Sequence, residues 1–415
     1  MKEFRVALRN AGNIDPHSLE SYVAAGGYQA LDMARAMNPE TLIGEIERSG
    51  RLRGRGGAGF NTGSKWKGAF KTPADQKYIV CNADEGEPGT YKDRAILEND
   101  PHTVLEGMAI GAYAIGASEA IIYCRAEYPH VAGLLRDAIA QAKEKLMPVS
   151  FSVCVGAGAY ICGEETALLN SLEGLRGEPR LKPPYPTVAG LNGMPTVINN
   201  VETFASIPVI VEKGAWWYSS IGSVEYTGTK IFTLSGDVVN RGYFEVPGNT
   251  LIRELIYDFG GGVADGRQLK AVQVGGNSGA FITPEQLDTP FNLDALAEIG
   301  ASIGSGSLFV LDDTRDMSEI ALQTTRFFRD ESCGKCTACR EGVRRMSEYL
   351  ERFQNCCAQE EDIGRILSLG EYMKAASFCP LGQSVPVPVL SAINYFRSDF
   401  EQRIEAKEVA LYVTC

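Results

Sequence analysis

Hydrophobic and polar positions along the first half of the chain predict strands and helices in turn. Short apolar runs are typical of buried strands, and longer segments with apolar residues three or four positions apart are typical of helices. The predicted strands are K-Y-I-V-C-N, E-A-I-I-Y-C and F-S-V-C-V, and the predicted helices are residues 104–116, residues 131–146 and the segment that opens E-E-T-A-L-L. This alternation predicts an α/β layer with a largely parallel sheet.

The pattern differs at the two ends of the chain. Residues 1–50 are predicted to be mostly helical, with a short helix that closes on Gly50. Further along, T-K-I-F-T-L-S-G-D-V and G-Y-F-E-V predict a hairpin, I-R-E-L-I-Y-D-F a helix, and L-K-A-V-Q-V-G-G and S-L-F-V-L two more strands. From residue 316 the pattern is helical. We therefore expect three domains, at residues 1–228, 229–315 and 316–415.

Composition narrows the function classes. The 415 residues are 44% hydrophobic and 22% charged, as in an ordinary globular protein, and the net charge is -12. This charge argues against nucleic acid or an anionic membrane as the main partner. No apolar run approaches the ~18 residues of a membrane span, so we expect no direct membrane span. The opening M-K-E-F-R-V-A-L-R-N lacks the apolar segment of a signal peptide, so we expect a cytoplasmic protein with reduced cysteines.

Three of the 11 cysteines form the run E-S-C-G-K-C-T-A-C-R-E-G, in which Cys333, Cys336 and Cys339 are three residues apart. Three thiolates from one tight loop suit three corners of a 4Fe–4S cluster, which needs a fourth cysteine. Cys379, which is followed by proline, is the predicted fourth ligand. The closer pair, Cys356–Cys357, is predicted to lie within a helix. The alternatives are a structural zinc site and buried thiols.

The run L-R-G-R-G-G-A-G-F carries a glycine-rich loop. Gly54, Gly56 and Gly59 match the spacing of a dinucleotide fingerprint, but that motif follows a strand, and here a helix is predicted before it. We therefore reject an ordinary dinucleotide fold. The glycines would still let backbone N–H groups approach a phosphate, and Arg55 and Lys65 would add positive charge. The alternative is a flexible surface loop.

Three further motifs follow predicted strands or open helices. Asn82, Asp84, Glu85 and Glu87 come directly after a buried strand, where ligands collect in open α/β sheets, although an acidic turn is often only solvated. In G-A-G-A-Y-I-C-G-E-E-T-A-L-L, the two glutamates open a helix, which the helix dipole alone would favour. In V-I-N-N-V-E-T, two asparagines precede a helix and could simply cap it.

Together these motifs resemble one family, the NADH-oxidising flavoprotein subunit of respiratory complex I. Its relatives include the β subunits of NAD-linked FeFe-hydrogenases and formate dehydrogenases. The matching stretches are G-R-G-G-A-G-F-N-T-G-S-K-W, C-N-A-D-E-G-E-P-G-T-Y-K-D-R, G-A-Y-I-C-G-E-E-T-A-L, P-P-Y-P, I-N-N-V-E-T and E-S-C-G-K-C-T-A-C-R-E-G. The resemblance implies a Rossmann-like FMN-binding α/β domain, a ubiquitin-like β-grasp (SLBB-like) domain and a C-terminal helical bundle that carries the iron–sulfur cluster.

The resemblance also implies roles for individual residues. Those expected around FMN are Gly54, Arg55, Gly56, Lys65, Asn82, Asp84, Glu85, Gly163, Glu164, Asn199, Asn200 and Thr203. Those expected to contact NADH are Gly57, Ala58, Phe60, Glu87, Tyr160, Glu165, Lys182 and Tyr185. Among these, Glu87 and Glu165 are the candidate catalytic residues. The four cysteines Cys333, Cys336, Cys339 and Cys379 are expected to hold the 4Fe–4S cluster.

The expected function is that of an NADH dehydrogenase (diaphorase) subunit. Hydride would pass between NADH and FMN, and single electrons would then pass to the 4Fe–4S cluster. The C-terminal stretch L-G-Q-S-V-P-V-P-V-L-S-A-I-N-Y-F-R resembles the hydrogenase and formate dehydrogenase branch, which includes electron-bifurcating complexes. The expected partners are a thioredoxin-like 2Fe–2S subunit and a larger iron–sulfur catalytic subunit. The alternatives are the corresponding subunit of complex I and a structural protein in which the cluster only stabilises the helical bundle.

Overall fold

A computed structural model describes residues 3–49 and 52–404. Gly50, where the first helical region was predicted to close, and Cys415 lie outside the described residues. The chain forms two compact units. The first contains the residues up to Thr233 together with Gly242–Thr250 and Pro290–Asp294, and the second contains Leu234–Arg241, Leu251–Thr289 and the residues from Ala295 onward.

The first unit is built on a four-stranded parallel sheet, which confirms the predicted α/β layer. Its strands are β1 (Tyr78–Ala83), β2 (Glu119–Cys124), β3 (Ser150–Val155) and β4 (Thr196–Asn200). The strand order is β3-β2-β1-β4, and every pair is parallel. The chain moves outward from β1 to β3 and then returns to β4 on the other side of β1. The order therefore reverses between β1 and β4, where α/β sheets bind their ligands.

Helices pack around this sheet. They are α1 (Leu19–Ala24), α2 (Gln29–Ala36), α3 (Pro39–Arg48), α4 (Thr62–Lys71), α5 (Lys92–Asn99), α6 (Pro101–Ile115), α7 (Pro129–Gln141), α8 (Lys143–Leu146), α9 (Glu165–Leu172), α10 (Pro186–Ala189), α11 (Val201–Lys213) and α12 (Ala215–Ser219). The single helix predicted over residues 131–146 is therefore two, because the first ends at Gln141. Helix α6 is almost wholly buried. The side chain of Asp100 caps its start at Thr103 N, and Gly116 ends it with a φ of 75°.

Four of the five remaining described strands match predicted ones, and the short β8 was not predicted. The five strands are β5 (Thr229–Gly236), β6 (Gly242–Pro247), β7 (Leu269–Val274), β8 (Phe281–Ile282) and β9 (Ser307–Asp312). Strands β5 and β6 are neighbours, as the predicted hairpin requires. In the second unit, β7 pairs antiparallel with both β8 and β9. The helix predicted at I-R-E-L-I-Y-D-F is a short α13 (Ile252–Glu254) that widens into a π-helical turn at Leu255–Phe259.

The described residues after β9 are mostly helical, as predicted. Helix α14 (Leu293–Glu298) precedes β9, and the helices that follow β9 are α15 (Met317–Glu331), α16 (Thr337–Gln354), α17 (Glu360–Ala376), α18 (Pro380–Ser384) and α19 (Pro386–Tyr395). Helix α16 buries Val343, Met346, Leu350 and Phe353, which are three or four residues apart and so share one face. That face packs against α15 and α17. The predicted domain boundaries after residues 228 and 315 stay a prediction, because the two compact units divide the chain differently.

Candidate functional site

The predicted flavin residues lie at the carboxyl ends of β1 and β4. Asn82 and Asn200 face each other in the register of these strands, one residue beyond the pair Cys81 and Asn199. The Asn82 side chain donates from Nδ2 to the carbonyl oxygen of Gly163, at 2.9 Å, and its Oδ1 accepts from Asp84 N at 3.1 Å. The Asn82 amide therefore joins the end of β1 to the turn before α9. With Asn200 opposite on β4, residues from three of the predicted motifs, those of Asn82, Gly163 and Asn200, lie at this edge of the sheet.

The glycine-rich loop is closed at its base and lies against the end of β4. Gly54 N donates to the carbonyl oxygen of Phe60 at 2.8 Å, and Arg53 pairs with Asn61 as an antiparallel bridge. A Cβ on Gly56 would stand only 3.0 Å from the Cβ of Asn200. A residue larger than glycine at position 56 would therefore fill the space between the loop and Asn200. The loop follows α3 and not a strand within the described residues, in keeping with the rejection of an ordinary dinucleotide fold.

The Arg55 side chain supports the loop from its buried side. Its Nη2 donates to the hydroxyl of Tyr218 at 3.1 Å and to the carbonyl oxygen of Thr227 at 2.7 Å, and the guanidinium lies 4.3 Å from the ring centre of Tyr226. Its Nε and Nη1 are buried and have no hydrogen-bond partner among the described residues. Arg55 N donates to Thr203 Oγ1 at 2.9 Å, which ties the loop to α11. Contact between its guanidinium and a phosphate stays a prediction.

Two lysines and two glutamates form a chain of ion pairs beside the loop. Lys65 Nζ lies 3.1 Å from Glu165 Oε2, and Lys182 Nζ lies 2.8 Å from Glu165 Oε1 and 2.9 Å from Glu164 Oε1. Burial alone would raise the pKa of Glu165, but the two lysines lower it below its ordinary value. Glu165 is therefore a fixed negative charge that connects the helix after the glycine loop to the Pro-rich segment.

Both asparagines of V-I-N-N-V-E-T have protein partners. Asn200 caps α11, since its Oδ1 accepts from Glu202 N at 3.0 Å, and Asn199 Oδ1 accepts from Trp66 Nε1 at 3.0 Å. Asn200 is also held by Lys92 Nζ, which donates to its Oδ1 at 3.0 Å, and by Asp93 Oδ2, which accepts from its Nδ2 at 2.6 Å. The capping interpretation is therefore correct for Asn200. It is compatible with a cofactor contact, because the bonds to Lys92 and Asp93 fix the position of the Asn200 amide.

Sequence reasoning missed the buried charges beneath these asparagines. Lys92 Nζ lies 2.6 Å from Asp93 Oδ1 and 3.0 Å from Glu202 Oε2, and Lys230 Nζ lies 2.6 Å from the same Glu202 oxygen. All four side chains are buried. Burial raises the pKa of Glu202, but Lys230 and Lys92 outweigh it and hold the pKa below its ordinary value. The ion pairs therefore keep this carboxylate charged inside the fold.

The two glutamates of the acidic turn have different surroundings. Glu85 is buried and accepts from Asp93 N at 2.8 Å and Arg94 N at 3.1 Å, at the start of α5. Burial, with a smaller effect from Asp93, raises the pKa of Glu85 to about 7. Glu87 is half-buried, and its Oε2 accepts from the hydroxyl of Tyr160 at 2.6 Å. Glu87 and Tyr160, both predicted to contact NADH, are therefore in direct contact with each other.

The other predicted nucleotide contacts lie closer to solvent. Phe60 and Tyr185 are exposed, as is Ala58. Lys65 Nζ lies 5.9 Å from the ring centre of Phe60. An exposed aromatic next to a cation suits a planar, anionic ligand.

The four predicted cluster ligands come together in the second unit. Cys333 and Cys336 lie in the loop before α16, Cys339 lies in its first turn, and Cys379 precedes α18. Burial raises the pKa of Cys339 to about 11, with smaller effects from the other three thiols, and burial also raises the pKa of Cys379. Phe378 N donates to Cys336 Sγ at 3.5 Å. Four buried or half-buried thiols close enough to affect one another fit a thiolate-ligated cluster.

A single-ion site is not seen in the parts of the chain that the structure describes. No group of three or more His, Cys, Asp or Glu residues at 3–49 and 52–404 is arranged to hold one metal ion. A cuboidal 4Fe–4S cluster is larger than one ion, so its thiolates stand further apart than the ligands of a tetrahedral zinc. The donor set of four cysteines suits the cluster.

The prediction that Cys356 and Cys357 lie within a helix is wrong. Helix α16 ends at Gln354, and Cys356 has a φ of 50°, in the left-handed region. Cys357 N donates back to the carbonyl oxygen of Arg352 at 2.9 Å, which closes the helix end. The apolar periodicity of α16 stops at Phe353, and that was the available signal.

Comparison with known proteins agrees with the site. Residues 46–209 match the family model described as the Nuo51 FMN-binding domain, and residues 319–403 match the NADH-ubiquinone oxidoreductase-F iron-sulfur binding region. The NADP-reducing hydrogenase subunit HndC of Solidesulfovibrio fructosivorans is 45% identical over 99% of this chain and 86% of its own length. The chain belongs to the family of NADH-quinone oxidoreductase F subunits. The F 2 subunit of Rhizobium meliloti (strain 1021) is 43% identical over 97% of this chain and 98% of its own length.

Solved structures extend the comparison. An NAD+-reducing [NiFe]-hydrogenase in the H2-reduced state superposes with a TM-score of 0.85 at 37% identity, and 91% of this chain is covered. This chain spans 65% of the length of that hydrogenase chain. Membership of the family establishes FMN and a 4Fe–4S cluster as the cofactors and NADH as the substrate. Among the described helices, none combines the length and apolar character needed to cross a membrane.

Proposed function

We propose that this chain is the NADH-oxidising subunit of a multi-subunit oxidoreductase of the hydrogenase or formate dehydrogenase type. The observation that carries the proposal is the combination, in one chain, of a glycine loop at the β1/β4 reversal and four converging cysteines. A protein in which the cluster only stabilised a helical bundle would not need the first of these.

FMN exchanges a hydride with NAD(H), and together with the 4Fe–4S cluster it converts a two-electron step into one-electron steps. The chain binds and orients the reactants. Backbone N–H groups of the glycine loop and Lys65 hold the phosphate, while Asn82, Asn199 and Asn200 supply amide groups at the strand ends. The proposed FMN set also includes Gly54, Arg55, Gly56, Asp84, Glu85, Gly163, Glu164 and Thr203.

The nucleotide would lie over the exposed side of the same loop. Phe60 and Tyr185 offer exposed rings, and Lys182 a cation near the glutamates of α9. Glu87, held by Tyr160, and Glu165 are the carboxylates that we place closest to the NADH. Gly57 and Ala58 complete the proposed contacts. No side chain in this arrangement needs to act as a nucleophile, because the cofactor supplies the reactive atom.

A 4Fe–4S cluster held by the four cysteines would pass electrons to partner subunits. We propose a thioredoxin-like 2Fe–2S subunit and a larger iron–sulfur catalytic subunit as these partners, in the cytoplasm, where cysteines outside disulfides, as in the described residues, are kept reduced. The second candidate is the F subunit of complex I. Relatives such as the F 2 subunit of Rhizobium meliloti favour this second candidate, since the matched region covers 98% of that subunit's length. The subunits that co-purify distinguish the two.

The test is a flavin spectrum of the anaerobically purified protein. NADH should bleach the flavin absorbance, and an artificial acceptor should restore it. Lys65→Met should lower the FMN content at least about tenfold, roughly 1.4 kcal/mol of binding. Lys67→Met is the matched control, because Lys67 lies on the same helix but pairs with Glu47 at the surface. A wild-type flavin that NADH leaves unbleached would contradict the proposal.

A further inference from the structure

A short Pro-rich loop carries two of the proposed nucleotide contacts. We define the nucleotide loop as residues 181–189, L-K-P-P-Y-P-T-V-A, which includes Lys182 and Tyr185. Its second half is α10, in which Pro186 is buried and which packs against β4 and α4. Its first half, residues 181–185, has exposed apolar side chains, since Leu181 is 72% exposed and Tyr185 58%. This half gains little stability from its own packing. Its position must therefore be set largely by polar contacts before and after the loop and by Lys182.

The residue before the loop lies along α9. Arg180 N donates to Thr166 Oγ1 at 2.8 Å, and Arg180 Nε donates to Asn170 Oδ1 at 2.7 Å. Asn170 in turn donates from Nδ2 to the carbonyl oxygen of Glu178 at 2.6 Å. These bonds fix the start of the nucleotide loop to the helix whose first residues are the glutamates that bind Lys182.

The same arginine also holds the far end of the loop. Arg180 Nη1 donates to the carbonyl oxygen of Gly190 at 3.2 Å, and Arg180 Nη2 donates to Glu173 Oε2 at 2.5 Å. The other oxygen of Glu173 accepts from Asn192 N at 2.8 Å. One ion pair therefore joins the residue before the loop to two residues after it.

The geometry favours a strong interaction. The Arg180 and Glu173 side chains are 28% and 17% exposed, so solvent screens the pair less than it screens a fully exposed one. Three nitrogens of one planar guanidinium each have a different partner. Lysine could not reproduce this fork, since its ammonium is a single point charge.

We infer that Arg180 and Glu173 are positioning residues for NAD(H), an inference that rests on the proposed function. The pair closes the base of the nucleotide loop and so limits where Lys182 and Tyr185 can lie. Without it, the loop must be ordered when the nucleotide binds, and that entropy cost weakens binding. Lys182 also pairs with Glu164, a proposed FMN contact, but Glu164 Oε2 accepts from Thr166 N and Ala167 N, both at 2.9 Å, and so is held by α9 itself. FMN binding and the reaction at saturating NADH should therefore not depend on the pair.

The test measures KM and kcat for NADH with an artificial acceptor, FMN and iron per chain, and thermal stability, in the full chain with its co-purifying subunits. Arg180→Ala and Arg180→Lys should each raise KM about tenfold, leave kcat within about twofold and leave FMN and iron unchanged. Glu173→Gln should also raise KM. The double variant Arg180→Ala/Glu173→Gln should raise KM no more than the larger of the two single effects, because both substitutions break the same interaction.

Arg5→Ala is the matched control. Its guanidinium also pairs with a glutamate, Glu3, and donates to a backbone carbonyl oxygen, that of Ala11, in the same unit. Arg5→Ala should leave KM unchanged whatever it does to stability. If Arg180→Ala keeps the wild-type KM, or loses FMN, the positioning role is wrong. If wild-type protein fails to oxidise NADH, the proposed function itself is wrong.

Discussion

Replacing Glu87 by glutamine should improve the use of NADPH and leave the use of NADH broadly intact. In the proposed site this carboxylate faces the adenosine ribose, where it can accept hydrogen bonds from the hydroxyls, as an acidic residue does in other NAD sites. The 2′-phosphate of NADPH would bring negative charge against it. A relative that is 45% identical is named an NADP-reducing hydrogenase subunit, so family membership alone does not decide the preference.

The size of the effect follows from the charge and its surroundings. Two like unit charges ~4 Å apart at an effective dielectric constant near 20 repel by about 4 kcal/mol. Glu87 is half-buried, and solvent and counterions reduce this value. One third of it still corresponds to roughly a tenfold difference in affinity. The hydrogen bond from Tyr160, at 2.6 Å, prevents the carboxylate from simply turning away.

Steady-state kinetics with each nucleotide and an artificial acceptor measure the ratio of kcat/KM for NADH to that for NADPH. Glu87→Gln should lower this ratio about tenfold, mainly through NADPH. Tyr160→Phe is the informative comparison, because it keeps the negative charge but removes the hydrogen bond that holds it in place. The ratio should therefore fall in this variant too, but by less than in Glu87→Gln. An unchanged ratio in Glu87→Gln, or an equal loss of activity with both nucleotides, would mean that Glu87 only shapes the turn before Pro88.

Three other predictions concern the cofactors and the fold. Cys379→Ser should lose or convert the 4Fe–4S cluster, whereas Cys357→Ser should not; iron content and the electron paramagnetic resonance spectrum decide this, and a full iron complement in the first variant would refute the ligand assignment. The flavin released by acid should chromatograph as FMN, since one glycine loop accommodates one terminal phosphate; recovery of FAD would contradict this. Burial lowers the pKa of His102 from 6.5 to about 4. The unfolded chain therefore binds a proton that the folded chain does not between these pH values, and stability falls as the pH drops from 6.5 towards 4, by roughly 3 kcal/mol. His102→Gln should flatten this part of the curve of melting temperature against pH; the same slope in the variant would argue against it.

The sequence was sufficient for the parts of the fold in which local pattern and final environment agree. Strand β1 was predicted because its first four residues, Tyr78 to Cys81, form an unbroken apolar run, and in the structure it is a central strand with a neighbouring strand on each side. The glycine loop was found because basic residues accompany its glycines, and the acidic turn because it directly follows a buried strand. Helix ends were less well predicted, as at residues 131–146 and Cys356, since they depend on single backbone conformations.

The residues that sequence reasoning missed act through partners far away in the chain. Lys92 and Glu202 are 110 positions apart, and nothing in the local pattern around Lys92 marks it as buried. Burying a lysine costs the hydration of its ammonium group, and in the first turn of a helix the dipole adds to this cost. Only the fold shows that two carboxylates and an asparagine offset this cost, and that the asparagine is a predicted flavin contact.

At the predicted cluster site, some ligands can be read from local spacing and one depends on the tertiary structure. The spacing of Cys333, Cys336 and Cys339 predicts three ligands from one loop, and this assignment stays a prediction. The fourth predicted ligand, Cys379, comes near the other three only because α17 brings the chain back to the start of α16. Cys336 and Cys379 occupy equivalent places, each directly before the first residue of a helix, α16 or α18. At the second of these helix starts, the backbone N–H groups of Leu381 and Gly382 lower the pKa of Cys379 against the larger effect of burial. Donors that favour a thiolate also favour the more negative, reduced form of the cluster it holds. A cluster held by Cys379 would therefore have its reduction potential raised by these donors.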